Sequence, residues 1–164
     1  MMVKLATEQA STSGTAITFT GIPAGTTVIN VMLVGVSTNG TAIYRITLGD
    51  SGGLESSGYS GSVSFIGNGA SPTVNVYAGA GFDLHPTGGA AATLVISGAW
   101  HLNLEDASDN TWTCDGSGGY HATTAAVNAT AGSKATSAVL DRVSVTTAGA
   151  ADTFDAGVIS ISYF

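Results

Sequence analysis

Apolar side chains in this chain recur at every second position, and no stretch of eleven or more residues carries the three-and-four spacing of an amphipathic helix. Ile17 and Phe19 alternate with Ala16, Thr18 and Thr20, while Tyr44, Ile46 and Leu48 share one face and Ile43, Arg45 and Thr47 the other. The same period runs through Val63 and Phe65, Val74 and Val76, Phe82 and Leu84, and Leu94 and Ile96. It continues through Leu102 and Leu104, Trp112 and Cys114, Val143 and Val145, and Ile159, Ile161 and Tyr163. Glycine interrupts the chain every few residues, at about 1 kcal/mol each in a helix interior. The pattern therefore predicts an all-β fold: roughly ten to twelve short strands in an antiparallel β-sandwich, jelly-roll-like, with essentially no helix. Asn39-Gly40 between two β-rich runs predicts a two-residue hairpin turn, because a type I′ turn needs positive φ at both central positions. The run Thr27 to Val36 is apolar on both faces and predicts a central strand, with the core on one side and a partner on the other. No linker divides the chain, so residues 1–13 are expected to form an N-terminal arm and 14–164 a single β-sandwich domain.

Composition says what covers the outside of such a sandwich. Ala (24), Gly (23), Thr (22) and Ser (18) make up 87 of the 164 residues, whereas charged side chains are only 9%, against about 25% in ordinary soluble domains. Four Lys and Arg against eleven Asp and Glu give a net charge of −7. That balance argues against a nucleic-acid backbone or an anionic membrane as partner, since neither would be neutralised. The longest apolar run is nine residues, Val28 to Val36, far below the ~20 that span a bilayer. Solvent faces are left to Thr, Ser and Asn, and Lys is nearly absent as a guard of strand edges. Unguarded edges pair with other chains, so oligomer contacts are expected to cover them. Cys114 is a lone cysteine and the start, Met1 to Gln9, has no apolar secretory core. Both point to folding in a reducing cytoplasm without export by the general secretory route.

Several segments resemble chemistry. Gly49-Asp50-Ser51-Gly52-Gly53 matches the serine loop of trypsin-like proteases and the G-x-S-x-G elbow. All three histidines, His85, His101 and His121, lie downstream of Ser51, and no helical pattern follows it, so the segment reads as a Gly-rich turn. Glu105, Asp106, Asp109 and Asn110 form the densest acidic cluster but lack the D-x-[DN]-x-[DN]-G spacing of a calcium loop. A hairpin loop whose side chains bond their own backbone explains them, and a calcium site stays the alternative. His85, His101, His121 and Cys114 show no zinc spacing. Trp100, Trp112 and Tyr120 fall near loop ends beside His101 and the acidic loop. With Asp106 and Asp109 they are candidates for a surface contact, stacking on a sugar or anchoring an interface. The favoured reading of the two tryptophans is that they are core residues of adjacent strands. No catalytic residue, metal site or cofactor is expected.

A set of phrases along nearly the whole chain, from about Leu5 to Tyr163, carries a resemblance. They are Leu5 to Ser11, Phe19 to Gly25, Gly35 to Thr41, Leu48 to Gly53, Glu105 to Trp112, Leu140 to Val143 and Asp152 to Gly157. Together they resemble a β-rich module of tailed-bacteriophage virion proteins, often in tail-fibre or fibre-like genes. The resemblance implies a non-enzymatic structural role at the particle surface, assembled in the host cytoplasm, with a homotrimer or other oligomer and further virion proteins as partners. A host surface glycan or protein would be the target. It carries over no catalytic or receptor residues. Fibre proteins usually have an anchor and a long stem, whereas here only Met1 to Ser13 precede the first strand. The chain is therefore expected to be a distal knob on a fibre encoded elsewhere, or a capsid decoration or cement protein, with residues 1–13 as a docking arm. A secreted carbohydrate-binding module is the alternative of another class.

Overall fold

A computed structural model of the chain describes residues 2–67, 71–86, 91–120 and 125–164. The strands are β1 (Lys4–Leu5), β2 (Gln9–Ala10), β3 (Ala16–Thr20), β4 (Val28–Thr38), β5 (Tyr44–Asp50), β6 (Gly53–Leu54) and β7 (Tyr59–Gly67). They continue as β8 (Thr73–Gly79), β9 (Phe82–Asp83), β10 (Ile96–Asp106), β11 (Thr111–Tyr120), β12 (Ala126–Ala135), β13 (Arg142–Thr147) and β14 (Phe154–Tyr163). Among the described residues there is no α-helix, only a 3-10 turn at Ala148–Ala150. The larger sheet runs β1-β14-β4-β10-β11-β12-β7-β8, with β2 also on β14. The smaller runs β3-β13-β5-β6, with β9 also on β5. Every pairing is antiparallel, so the chain folds as an antiparallel β-sandwich.

The period-two pattern becomes a core because one set of alternate residues in each sheet faces the other sheet. Ile29, Val31 and Leu33 on β4, Trp100 and Leu102 on β10, and Ile159 and Ile161 on β14 meet Tyr44, Ile46 and Leu48 on β5 and Val143 and Val145 on β13. As its two apolar faces predict, β4 is interior to its sheet, between β14 and β10. Its outward Val34 nevertheless stays 61% exposed. Asn39-Gly40 departs from expectation. It closes no hairpin, because the strands it joins, β4 and β5, lie in different sheets. Asn39 is committed elsewhere: its backbone N–H donates to Thr153 O (3.0 Å) and its side-chain oxygen accepts from Thr153 N (2.9 Å). Glycine follows because a Cβ at residue 40 would collide with the Asp152 carboxylate, which accepts the Ala42 N–H at 2.5 Å.

Trp100 sets the packing at the middle of the larger sheet. It is fully buried, and its register partner on β11 is Gly116, with Gly118 one step further on the same face. The indole lies along these two glycines. A Cβ on Gly116 would sit 2.6 Å from both the Trp100 Cα and its Cδ1, and one on Gly118 would sit 2.8 Å from its Cη2. Substituting Gly116→Ala therefore forces backbone apart, and we expect a loss of about 2 kcal/mol or more. Gly119→Ala, whose Cβ meets nothing nearer than Ala126 O at 4.0 Å, should stay within about 0.5–1 kcal/mol. Urea denaturation of the two variants checks this. Equal midpoints would mean that Trp100 is not seated on Gly116.

Candidate functional site

The three aromatic candidates lie inside the sandwich. Trp100 is fully buried and Trp112 and Tyr120 nearly so, so the two tryptophans are core residues as the favoured sequence reading has them, and a surface contact is not available to the three rings. The physical reason is register: all three sit at inward positions of β10 and β11, opposite Gly116, Leu104 and Ala126. Tyr120 packs against Phe65 (centroids 5.6 Å) and His85 (6.1 Å). Asp106 and Asp109 remain at the surface, in the β10–β11 hairpin. Asp106 Oδ1 accepts from Ser108 N and Oγ, both at 2.7 Å, and Asp109 Oδ1 accepts from Thr111 N (3.0 Å) and Oγ1 (2.5 Å). The Ser108 bonds hold the Asp106 carboxyl below the usual range. These are the self-bonded loop carboxylates of a hairpin. Among the described residues no three His, Cys, Asp or Glu side chains converge as a metal would need.

Gly49 to Gly53 is also a turn. Asp50 pairs with Gly53, leaving Ser51 and Gly52 as a two-residue connection between β5 and β6. Asp50 Oδ1 accepts the Gly52 N–H and Oδ2 accepts the Ser137 hydroxyl, both at 2.7 Å. These two bonds hold the Asp50 carboxyl below the usual carboxylate range, the Ser137 hydroxyl most. His85 is far from a catalytic posture. Its Nε2 accepts the Tyr44 backbone N–H at 3.1 Å, and Nδ1, 3.3 Å from Pro86 O, carries the proton. Burial lowers its pKa to about 4. Cys114 is buried, which pushes its thiol up and leaves it unreactive. His121 lies outside the described residues.

Two ion pairs organise the polar interior. Lys134 points inward from β12, is almost wholly buried, and binds Glu55, Ala135 O and the face of the Tyr59 ring (5.6 Å). Glu55 in turn accepts the Ser137 N–H at 2.6 Å. At the other end of the smaller sheet, Arg45 Nε donates to Asp83 Oδ1 at 2.5 Å. Burial raises the Asp83 carboxyl against the opposing pull of Arg45. This pair floors a groove of about 260 Å³ between Ile43, Val76, Tyr77 and Gly81, where the larger sheet overhangs the smaller. Sequence reasoning missed the groove. Arg45 is visible as an outward residue of β5, but nothing in the local pattern joins it to Asp83.

An uncommitted surface is the outer face of β12, β7 and β8. It consists of Ser and Ala with Ile66, Val74, Val76 and Val127, all four more than half exposed. Val127 and Ile66 are direct cross-strand neighbours, and Val74 lies one step diagonally from Ile66. No ionisable side chain points out from this sector, since Lys134 faces inward. His101 Nδ1 lies 3.7 Å from the Asp115 carboxylate on the neighbouring strands β10 and β11. No family model, curated protein or solved structure matches this chain.

Two predictions follow from the buried polar groups. Protonating His85 removes the acceptor for Tyr44 N–H, so the unfolded chain binds the extra proton more readily. Stability is expected to fall as pH drops from 6.5 towards 4, by an amount on the order of 3 kcal/mol. Denaturant midpoints across that window should slope less in His85→Gln than in the native chain; equal slopes would assign the loss to another group. For the buried pair, Glu55→Ala strands the Lys134 ammonium and is expected to cost about 3 kcal/mol, more than Lys134→Met, which leaves a better exposed carboxylate. Reversal of that order in thermal unfolding would mean that Lys134 reaches water.

Proposed function

We propose that this chain is a non-enzymatic structural protein of a tailed-phage virion, a tail-fibre or knob-type subunit that takes part in host attachment. The observation that carries the proposal is the uncharged outer sector of β12, β7 and β8. On a chain of net charge −7, a contiguous sheet surface of small and β-branched residues suits contact with neighbouring subunits more than with water. The phrases that resemble phage virion modules point the same way. Nothing among the described side chains forms a nucleophile–base pair around Ser51, which supports a structural role over a hydrolytic one. In this reading the chain works at the particle surface beside other copies and other virion proteins, and presents its loops to a host glycan or protein.

A capsid decoration or cement role is the second reading, and the arm favours it. Met2, Val3 and Leu5 are exposed apolar residues on a segment whose strand pairings to β14 are two residues long, a form suited to adding a strand to a neighbour. Excess purified protein should slow phage adsorption if the chain binds the host. Unchanged adsorption, with hundreds of copies per particle on a gel, would transfer the assignment to the capsid surface.

A further inference from the structure

The outer edge of β8 has no strand partner among the described residues, since β8 ends its sheet and pairs only with β7. Its backbone groups on that side form a template for another strand. Edge strands are ordinarily guarded by Lys, Pro or a bulge, and Thr73–Gly79 contains none of these: no charged residue, no proline, and an unbroken register with β7 from Tyr59 to Phe65. It also carries the most exposed strand valines of the structure's described residues, Val76 at 85% and Val74 at 67%.

We propose that β8 pairs antiparallel with β8 of a second copy of this chain about a two-fold axis through Asn75. Three observations select a second copy over another occupant. The sequence of the edge is self-complementary: with Asn75 on the axis, Thr73-Val74-Asn75-Val76-Tyr77 sets Val74 opposite the partner's Val76, and Thr73 opposite its Tyr77. β-Branched pairs of this kind are the stabilising unit of a sheet. The alternation keeps the same face outward in both copies, so the pairing extends the large sheet without turning any buried side chain out. The charge distribution fits as well. Copies of net charge −7 repel, and a strand with no charged side chain, beside a groove whose Arg45 and Asp83 are paired to each other, lets two of them approach without adding like charges to the contact.

The footprint fixes the strength. With the axis at Asn75, five residues of each strand, Thr73 to Tyr77, are paired, and at ~3.4 Å each they make a contact only about 17 Å long. The dimer is therefore concentration-dependent in solution and favoured wherever an assembly holds copies close together. Being isologous, it closes at two copies and leaves the β1–β14 edge free for other contacts. The inference does not rest on the virion reading, because it is tested on purified protein.

Sedimentation of the full chain from about 10 μM to 1 mM tests it. The native protein should pass from monomer to dimer across that range. Val76→Lys places an ammonium opposite Val74 of the other copy and should raise the dissociation constant at least about tenfold. Leu5→Lys, on the opposite edge, should leave it unchanged. Val76 is so exposed that the variant should unfold at the native temperature, which circular dichroism checks. A second measurement reads the register: a mixture of Val74→Cys and Val76→Cys chains should cross-link on mild oxidation faster than either variant alone, with Cys114 buried and silent. A protein monomeric at all concentrations, a dimer that survives Val76→Lys, or one lost in Leu5→Lys would overturn the proposal.

Discussion

The unequal width of the two sheets governs most of this structure. The larger is eight strand positions across and the smaller four, or about 38 Å against about 19 Å at the spacing of paired strands. The smaller sheet cannot cover the apolar face of the larger, and something else must. From β3 at one margin the smaller sheet reaches β14. At the other, β9 extends it under β7 and β12. β9 and the chain after it complete the cover: Phe82, Leu84 and His85 are all fully buried. This explains a histidine in the core. Its ring satisfies the Tyr44 N–H that β5 presents one residue beyond its pairing with β9, while the ring packs on Tyr44 and Tyr120.

Because charges are scarce, the sheets are joined by neutral polar bonds. The Tyr59 hydroxyl crosses from β7 to β5, accepting Leu48 N–H at 2.7 Å and donating to Leu48 O at 3.3 Å. Thr130 Oγ1 crosses from β12 to donate to Asp83 O at 2.8 Å. Each bond satisfies groups that burial would otherwise leave unpaired, a larger effect than the bond's own net contribution of about 1 kcal/mol. The two ion pairs that do enter the interior, Lys134–Glu55 and Arg45–Asp83, sit at opposite ends of β5 and its neighbours, where β6 and β9 flank that strand. They pin the two short strands whose own pairings are only two residues long.

What could be read from the sequence follows from the range of the forces involved. Period two survives as the inward faces of β5, β10, β13 and β14, because burial acts on each residue through its own side-chain direction. The face itself is less secure. Val74 and Val76 alternate as well as any pair, yet they point outward, since Tyr77 takes the inward register and donates its hydroxyl to Ala131 O at 3.2 Å. Position 39 fails for a related reason: its turn chemistry is sound, but Thr153, 114 residues away, holds the side chain. The serine and acidic loops were legible as turns because their hydrogen bonds are local, two residues apart. Trp100 is legible as a core residue, but its seat is not, because the glycines that make room for its ring are on the next strand.

The exposed valines then acquire a physical meaning that composition alone leaves open. An overhanging sheet must end somewhere, and β8 ends it beyond the reach of β9, over the groove floored by Arg45 and Asp83. At that margin the usual remedy is a lysine, which would keep the edge wet and solitary. Here the charges are placed elsewhere: the loop acids Asp106 and Asp109 at the β10–β11 hairpin, and Asp50 and Glu55 beside β6. Net charge holds copies apart in dilute solution, but its effect decays within about 8–10 Å in salt. Short-range pairing at an uncharged edge is then opposed mainly by lost freedom, a cost that an assembly reduces by holding neighbours in place. The low charge content is thus not spread evenly over the surface. It is concentrated in its absence along β12, β7 and β8, the part of the molecule with the most apolar surface still to cover.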